Sequence, residues 1–213
     1  MALQAASPDR QLLPHDPCGL DEVGRGALAG PLVAAAVVLP RRFTHPLLRD
    51  SKLLSERQRE EIEPVIRREA VALQVSVIEV ALIDDRGIGW ANRSAFQRLI
   101  EGVEAPEYLG DGNLAITTNR RYRSVIGGDR LVPAISAASI VAKVYRDRLM
   151  RELHLQFAHY GWDRNKGYGT PRHLRAISSH GICAHHRRSF IHSSQPGLFE
   201  PQGATEGVRP SLA

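Results

Sequence analysis

Cysteine is almost absent from this chain: Cys18 and Cys183 stand far apart, in no paired-ligand spacing. That excludes a disulfide scaffold and a cysteine-based zinc site, and it fits a reducing compartment. Long apolar runs are missing too. The longest, Ala27 to Leu39, is broken at Gly30-Pro31 and falls short of the roughly 20 residues a membrane-spanning helix needs. The opening "MALQAASPDRQLLPHDP" has neither the charged start nor the apolar centre of a secretion signal. No internal repeat is visible. These absences lead us to expect a soluble, cytoplasmic protein with no membrane association.

What is present is ordinary in amount and uneven in place. Hydrophobic residues make up 43% and charged residues 24% of 213 residues, enough for one α/β domain with a sizeable core. The net charge is +5, but acids outnumber bases over residues 1–110, while Lys and Arg strongly outnumber acids over residues 111–192. A basic half suits a polyanion, because phosphate binding is largely electrostatic. A solvated, arginine-rich surface would produce the same pattern.

Residues 1–16 read as a flexible lead-in, residues 17–192 as the folded domain, and residues 193–213 as a disordered tail. A strand is expected from Cys18 to Val23, then a glycine-rich turn and a second strand, "PLVAAAVVLP", paired antiparallel with the first. A helix follows, capped at Ser55 with Glu56 and the acids behind it. "VALQVSVIEVAL" alternates as a third strand, and "DDRGIGWANRSAFQRLIEGV" reads as one helix with a ragged start. "PEYLGDGN" and "YRSVIGGD" are short strands ending in turns. Pro133 to about Phe157 is a long helix, "YGWDRNKGYGTPRH" a loop, and a short helix comes after it.

Four acids fall where strands end: Asp21 and Glu22 on the first, Asp111 on the fourth, and Asp129 after the fifth. Ligand sites of open α/β sheets gather at such ends. Taken singly, Asp111 and Asp129 are ordinary turn residues. Together the four carboxylates repel one another unless a cation sits among them. Hard oxygen donors select Mg²⁺ or Mn²⁺, and two such ions can activate a water and stabilise a leaving oxygen in phosphoryl displacement. Strand alternation sends Asp21 and Glu22 to opposite faces, so sharing one centre requires the strand to end or bend there.

The blocks "GLDEVGRGALAGPLVAAAVVLP", "DSKLLS", "DGN", "GGDRLVPAISAASIVAKVYRDRLM", "KGYGT" and "HRRSF" occur in this order over residues 18–192. In that order they strongly resemble the bacterial ribonuclease HII family. The resemblance implies a ribonuclease H-like fold: a five-stranded mixed sheet flanked by helices, with a small helical C-terminal portion near residues 158–192. It implies an endoribonuclease that cleaves the RNA strand of RNA–DNA hybrids, and a monomer is expected. It also implies incision 5′ to single ribonucleotides embedded in duplex DNA, leaving a 3′-hydroxyl and a 5′-phosphate. The family's metal-binding, catalytic acids fall on Asp21, Glu22, Asp111 and Asp129. Its sugar-reading loop falls on Gly24, Arg25 and Gly26, where glycines admit close backbone approach to a 2′-hydroxyl that both donates and accepts.

By the same resemblance, Lys166 and Tyr168 contact substrate, the tyrosine packing on the neighbouring sugar. Ser51, Lys52, Ser139 and Lys143 contact phosphate, which positions a duplex without reading its sequence. Asp147 reads as an ion-pair partner of neighbouring arginines rather than a ligand. His186, Arg187 and Arg188 either support phosphate binding or close the fold. The chain departs from the family pattern at Ala27, Leu53 and Gly127, the last two removing positive charge. In the tail, Gln195, Leu198 and Phe199 resemble a peptide that docks on sliding clamps. The competing reading is a non-catalytic nucleic-acid-binding protein on the same fold, but binding alone gives no reason to set four acids beside a polyanion.

Overall fold

The computed structural model describes residues 17–48 and 54–194. The lead-in 1–16, Ser51 and Lys52, and the tail residues Gln195, Leu198 and Phe199 lie outside them.

One mixed sheet organises the chain. Strands β1 (Cys18–Val23), β2 (Leu32–Val38), β3 (Ala72–Ile78), β4 (Tyr108–Asp111) and β5 (Tyr122–Val125) lie in the order β3-β2-β1-β4-β5. The first three form an antiparallel meander, whereas β4 runs parallel to β1 and β5 parallel to β4. This is the expected five-stranded ribonuclease H-like sheet. All of β2 is buried, as a continuous Val/Ala/Leu run predicts for a strand covered on both faces.

The pleat sorts that run. Leu32, Ala34 and Ala36 join Leu20 against helix α3 (Ile88–Gly102), contacting Phe96 and Leu99. Val33, Ala35 and Val37 face the other way, onto α1 (Glu56–Glu69) and α5 (Pro133–Gln156). Each fully buried Leu, Ile or Val contributes roughly 1.5–3 kcal/mol. Gly19 lets α5 cross β1 backbone to backbone, since a Cβ there would stand 2.1 Å from the Ala134 carbonyl carbon. No larger residue fits, and this contact seats the first turns of α5 on β1.

Local differences from the sequence reading have simple causes. The α1 cap at Ser55 stands as expected, with Glu56 in the first turn, and Gln58 closes it as a box the sequence reading did not name. The third strand stops at Ile78, and its expected tail opens α2 (Val80–Arg86). The single ragged helix is therefore two, α2 and α3, broken at Gly87 (φ 79°). A short α4 (Gly128–Leu131) follows β5. Inside the expected loop lies α6 (Trp162–Asn165), then α7 (Pro171–His180), and α8 (Arg188–Ser194) runs past the expected boundary at residue 192. This helical C-terminal portion has its own core, in which Trp162, Tyr160, Ile177 and Ile191 pack on Met150 of α5 and on Leu28 and Ala29. Among the described residues no helix is long and apolar enough to cross a membrane.

Candidate active site

The pleat that sorts the core also sorts the acids. Asp21 points to the α5 side, where it is hydrogen-bonded by Ser139. Its Oδ1 also accepts the Glu22 N–H at 2.8 Å. Glu22 points to the α3 side, hydrogen-bonded to Asn92, with Arg25 Nη1 3.5 Å away. Asp111 ends β4 one position beyond the Leu20–Gly110 register pair, beside Asp21. Its charge reaches both neighbours. Burial pushes the Asp21 carboxyl up to about 8, opposed by Ser139, with repulsion from Glu22 and Asp111 adding to the rise. Glu22 is raised chiefly by burial and then by Asp111, against the pull of Arg25.

Asp129 is fully buried in the first turn of α4. A Cβ on its neighbour Gly128 would stand 3.5 Å from Asp111 Oδ1, so α4 starts against the same strand end. Among the described residues Asp111 Oδ1 is buried and accepts no hydrogen bond, which costs stability unless a ligand uses it.

The donor set is oxygen throughout, which suits a hard divalent cation. Among the described residues no three His, Cys, Asp or Glu side chains already enclose one ion position. Mg²⁺ rarely needs such a cage: it keeps several waters and takes one or two carboxylates plus substrate phosphate. The residues present fit that mode.

Beside the acids two loops are stitched together. Leu28 and Ala29 N–H groups both donate to Gly167 O, at 2.8 and 3.1 Å. The backbones meet so closely that a Cβ at Gly167, already at φ 84°, would lie 2.3 Å from Ala29 O. Two fully buried arginines brace the junction. Arg146 donates to the carbonyls of Pro31 (2.9 Å), Lys166 (2.8 Å) and Ala29 (3.0 Å). Arg187 donates to those of Gly24, Arg25 and Gly30. Of the two roles open to Arg187, it fills the structural one and closes the fold. Arg188 is exposed, and its backbone N–H donates to Asp84. Arg25 and Gly26 are exposed at the loop tip.

Tyr168 is partly exposed beside this loop, its ring 5.5 Å from the Arg146 guanidinium carbon. A buried chain holds its backbone. His173 Nδ1–H donates to Tyr168 O at 2.9 Å, and His173 Nε2 accepts Trp162 Nε1–H at 3.0 Å. His186 Nδ1 accepts the Cys183 N–H at 3.1 Å, leaving its proton on Nε2, 3.2 Å from His173 Nε2. Both rings are neutral in this arrangement, and burial with the His173 neighbour pushes His186 down to about 4.

The chain has three lysines, Lys52, Lys143 and Lys166, and the two that are described are engaged inside the protein. Lys143 shares a face of α5 with Ser139, but its Nζ donates to Asp147 Oδ1 at 2.7 Å. Asp147 is thus an ion-pair partner, of Lys143 rather than of an arginine. Lys166 is buried, its Nζ donating to Asp163 O and lying 3.2 Å from Glu56 Oε1. Asn92, Arg146, Trp162 and His173 escaped the sequence reading, whereas His186, named there with Arg187 and Arg188, joins the buried chain. Asn92 alone left a trace, as the polar residue within the buried face Ala91, Ala95, Phe96 of α3.

Comparison with known proteins agrees with this arrangement. Residues 18–193 match the family profile described as "Ribonuclease HII". A ribonuclease HII of Burkholderia mallei is 50% identical over 175 residues, covering 81% of this chain and 82% of its own. Among solved structures, ribonuclease HII of Archaeoglobus fulgidus in complex with PCNA superposes with a TM-score of 0.71 at 27% identity. That match covers 81% of this chain and 94% of the archaeal one. Ribonuclease H2 of Pyrococcus horikoshii shares the fold, with a TM-score of 0.70 at 23% identity over 82% of this chain and 93% of that one. The chain belongs to the ribonuclease HII family and is a type 2 ribonuclease H, an endoribonuclease.

Proposed function

We propose that the enzyme is a divalent-metal-dependent nuclease that cleaves the RNA strand of RNA–DNA hybrids and incises 5′ to single ribonucleotides in duplex DNA, leaving a 3′-hydroxyl and a 5′-phosphate. The observation that carries this reading is the meeting of Asp21, Glu22, Asp111 and Asp129 at one end of the sheet, directly beside the Gly24–Gly26 loop. Asp21 and Asp111 are the pair best placed to hold an ion together, Asp129 adds to them from α4, and Glu22, on the α3 face, would reach the centre past Asp111, whose charge acts on both. Two Mg²⁺ or Mn²⁺ ions bound there supply charge neutralisation at the phosphate and an acidified water for in-line attack.

The chain's own groups do the rest. Ser139 orients the Asp21 carboxylate, and Asn92 and Arg25 orient Glu22. Arg25 and Gly26 present backbone to the ribose, and Tyr168 offers a ring face to the adjoining sugar. Lys143 brings positive charge to the approaching backbone by exchanging Asp147 for phosphate, and Lys166, buried against Asp163 and Glu56, contributes only by exchanging Glu56 likewise. Ser51 and Lys52 belong to the same proposed set. A sliding clamp is a proposed partner, since the archaeal relative is seen with PCNA and Gln195, Leu198 and Phe199 carry the docking pattern. The test is product mapping on a DNA duplex with one internal ribonucleotide. The reading expects one cut, 5′ to the ribonucleotide, with a ligatable 3′-hydroxyl. Cuts elsewhere, or 3′-phosphate ends, contradict it.

A further inference from the structure

Arg187 is fully buried, and every hydrogen bond described for its side chain goes to a backbone carbonyl. Nη1 reaches Gly24 O at 2.7 Å and Arg25 O at 3.0 Å, while Nε and Nη2 reach Gly30 O at 3.0 and 2.8 Å. Arg146 lies close by, and burial, followed by the charge of Arg146, pushes the Arg187 guanidinium down to about 9. Placing two guanidinium groups together in the interior is costly, and apolar side chains would fill the same space at less cost. The arrangement calls for something packing alone does not supply.

That something is the facing of the loop's peptides. No peptide bond among the described residues is cis, and in a trans peptide the C=O of one residue and the N–H of the next point opposite ways. With the Gly24 and Arg25 carbonyls turned inward onto Nη1, the N–H groups of Arg25 and Gly26 face outward. Gly26 looks into open space: a Cβ there would meet nothing within 4 Å. Two successive donors are thereby aimed away from the core, beside the four acids.

We propose that Arg187 is a positioning residue for ribose discrimination: it turns the Gly24 and Arg25 carbonyls inward, and so presents two N–H donors to the sugar oxygen. The inference rests on the proposed function and extends it, making the C-terminal portion that carries Arg187 part of substrate selection.

The test compares affinities, because a ratio of Kd values is insensitive to the fraction of folded protein. Wild type, Arg187→Gln and Arg187→Lys are titrated, with Ca²⁺ in place of Mg²⁺, against an all-DNA duplex and the same duplex carrying one ribonucleotide. We expect Arg187→Gln to shrink the wild-type preference roughly tenfold, the size of one lost charge-assisted hydrogen bond. Arg187→Lys, which keeps the charge and one donor direction, should restore part of it. A preference unchanged in Arg187→Gln overturns the inference. Should Arg187→Gln not fold, amide exchange in wild type and Arg187→Lys decides. The ribonucleotide duplex protects the Arg25 and Gly26 amides less in Arg187→Lys than in wild type; equal protection in the two overturns the inference. A wild type that neither prefers nor incises the ribonucleotide duplex overturns the functional reading along with it.

Discussion

Asp21 and Glu22 are consecutive in β1, yet their carboxylates lie on opposite faces of the sheet, Asp21 toward Ser139 and Glu22 toward Asn92. Asp111, at the end of the neighbouring strand, acts electrostatically on both. Like charges gathered in partly buried positions cost stability, and function is what retains them. Asp21→Asn should therefore stabilise the EDTA-treated protein by about 1 kcal/mol, a rise in Tm of roughly 2–4 °C. It should also abolish incision and reduce the further rise that Mg²⁺ confers on wild type. Thermal melts with and without Mg²⁺ check this. A destabilised Asp21→Asn would show that the carboxylate serves the fold rather than the site.

Tyr168 is fixed by its backbone, through His173, while its ring stays partly exposed. Tyr168→Ala should cost about 1–3 kcal/mol in duplex affinity, the usual worth of one stacked aromatic. Tyr168→Phe should lose little. Single-turnover rates at saturating enzyme should remain within a few-fold of wild type. Equal losses in Ala and Phe would assign the role to the hydroxyl instead.

His186 is neutral and buried, and its depressed pKa links the Tyr168 loop to pH. The unfolded state takes up a proton near 6.5, the folded state only near about 4. Stability contributed by His186 is thus fully present above pH 6.5 and is lost as pH falls toward about 4. Denaturant melts across that window should show the midpoint falling with pH. His186→Gln, which has nothing to titrate, should flatten the slope, and an unchanged slope would contradict the assignment.

Gly19 tests how the fold positions the site. An added methyl would drive into the Ala134–Ile135 backbone, so Gly19→Ala should destabilise by about 1–3 kcal/mol or more. It should also lower activity by lifting α5, and with it Ser139, from Asp21. Normal stability in this variant would refute the close crossing.

How far the sequence is legible depends on whether a feature is local. The five strands, the long α5 and the four strand-end acids follow from apolar runs, turn residues and ordered motifs, which neighbouring positions determine. The break at Gly87 was legible in principle, because the glycine stands in the expected helix. Partners contributed by distant segments were not. Arg187 reaches Gly24 across most of the chain, and Asn92 reaches Glu22 from another element. Such contacts depend on how α5 and the C-terminal helices dock, which no local pattern encodes.

The central claim is that Asp21 and Asp111 hold divalent metal for incision at a ribonucleotide. Its most direct measurement is single-turnover cleavage of a DNA duplex with one internal ribonucleotide, in Mg²⁺, Mn²⁺ or EDTA, by wild type, Asp21→Asn and Asp111→Asn. We predict metal-dependent cleavage by wild type, none in EDTA, and a loss of at least about 100-fold in each variant with duplex binding retained. Cleavage that survives EDTA, or persists in either folded variant, would contradict the account.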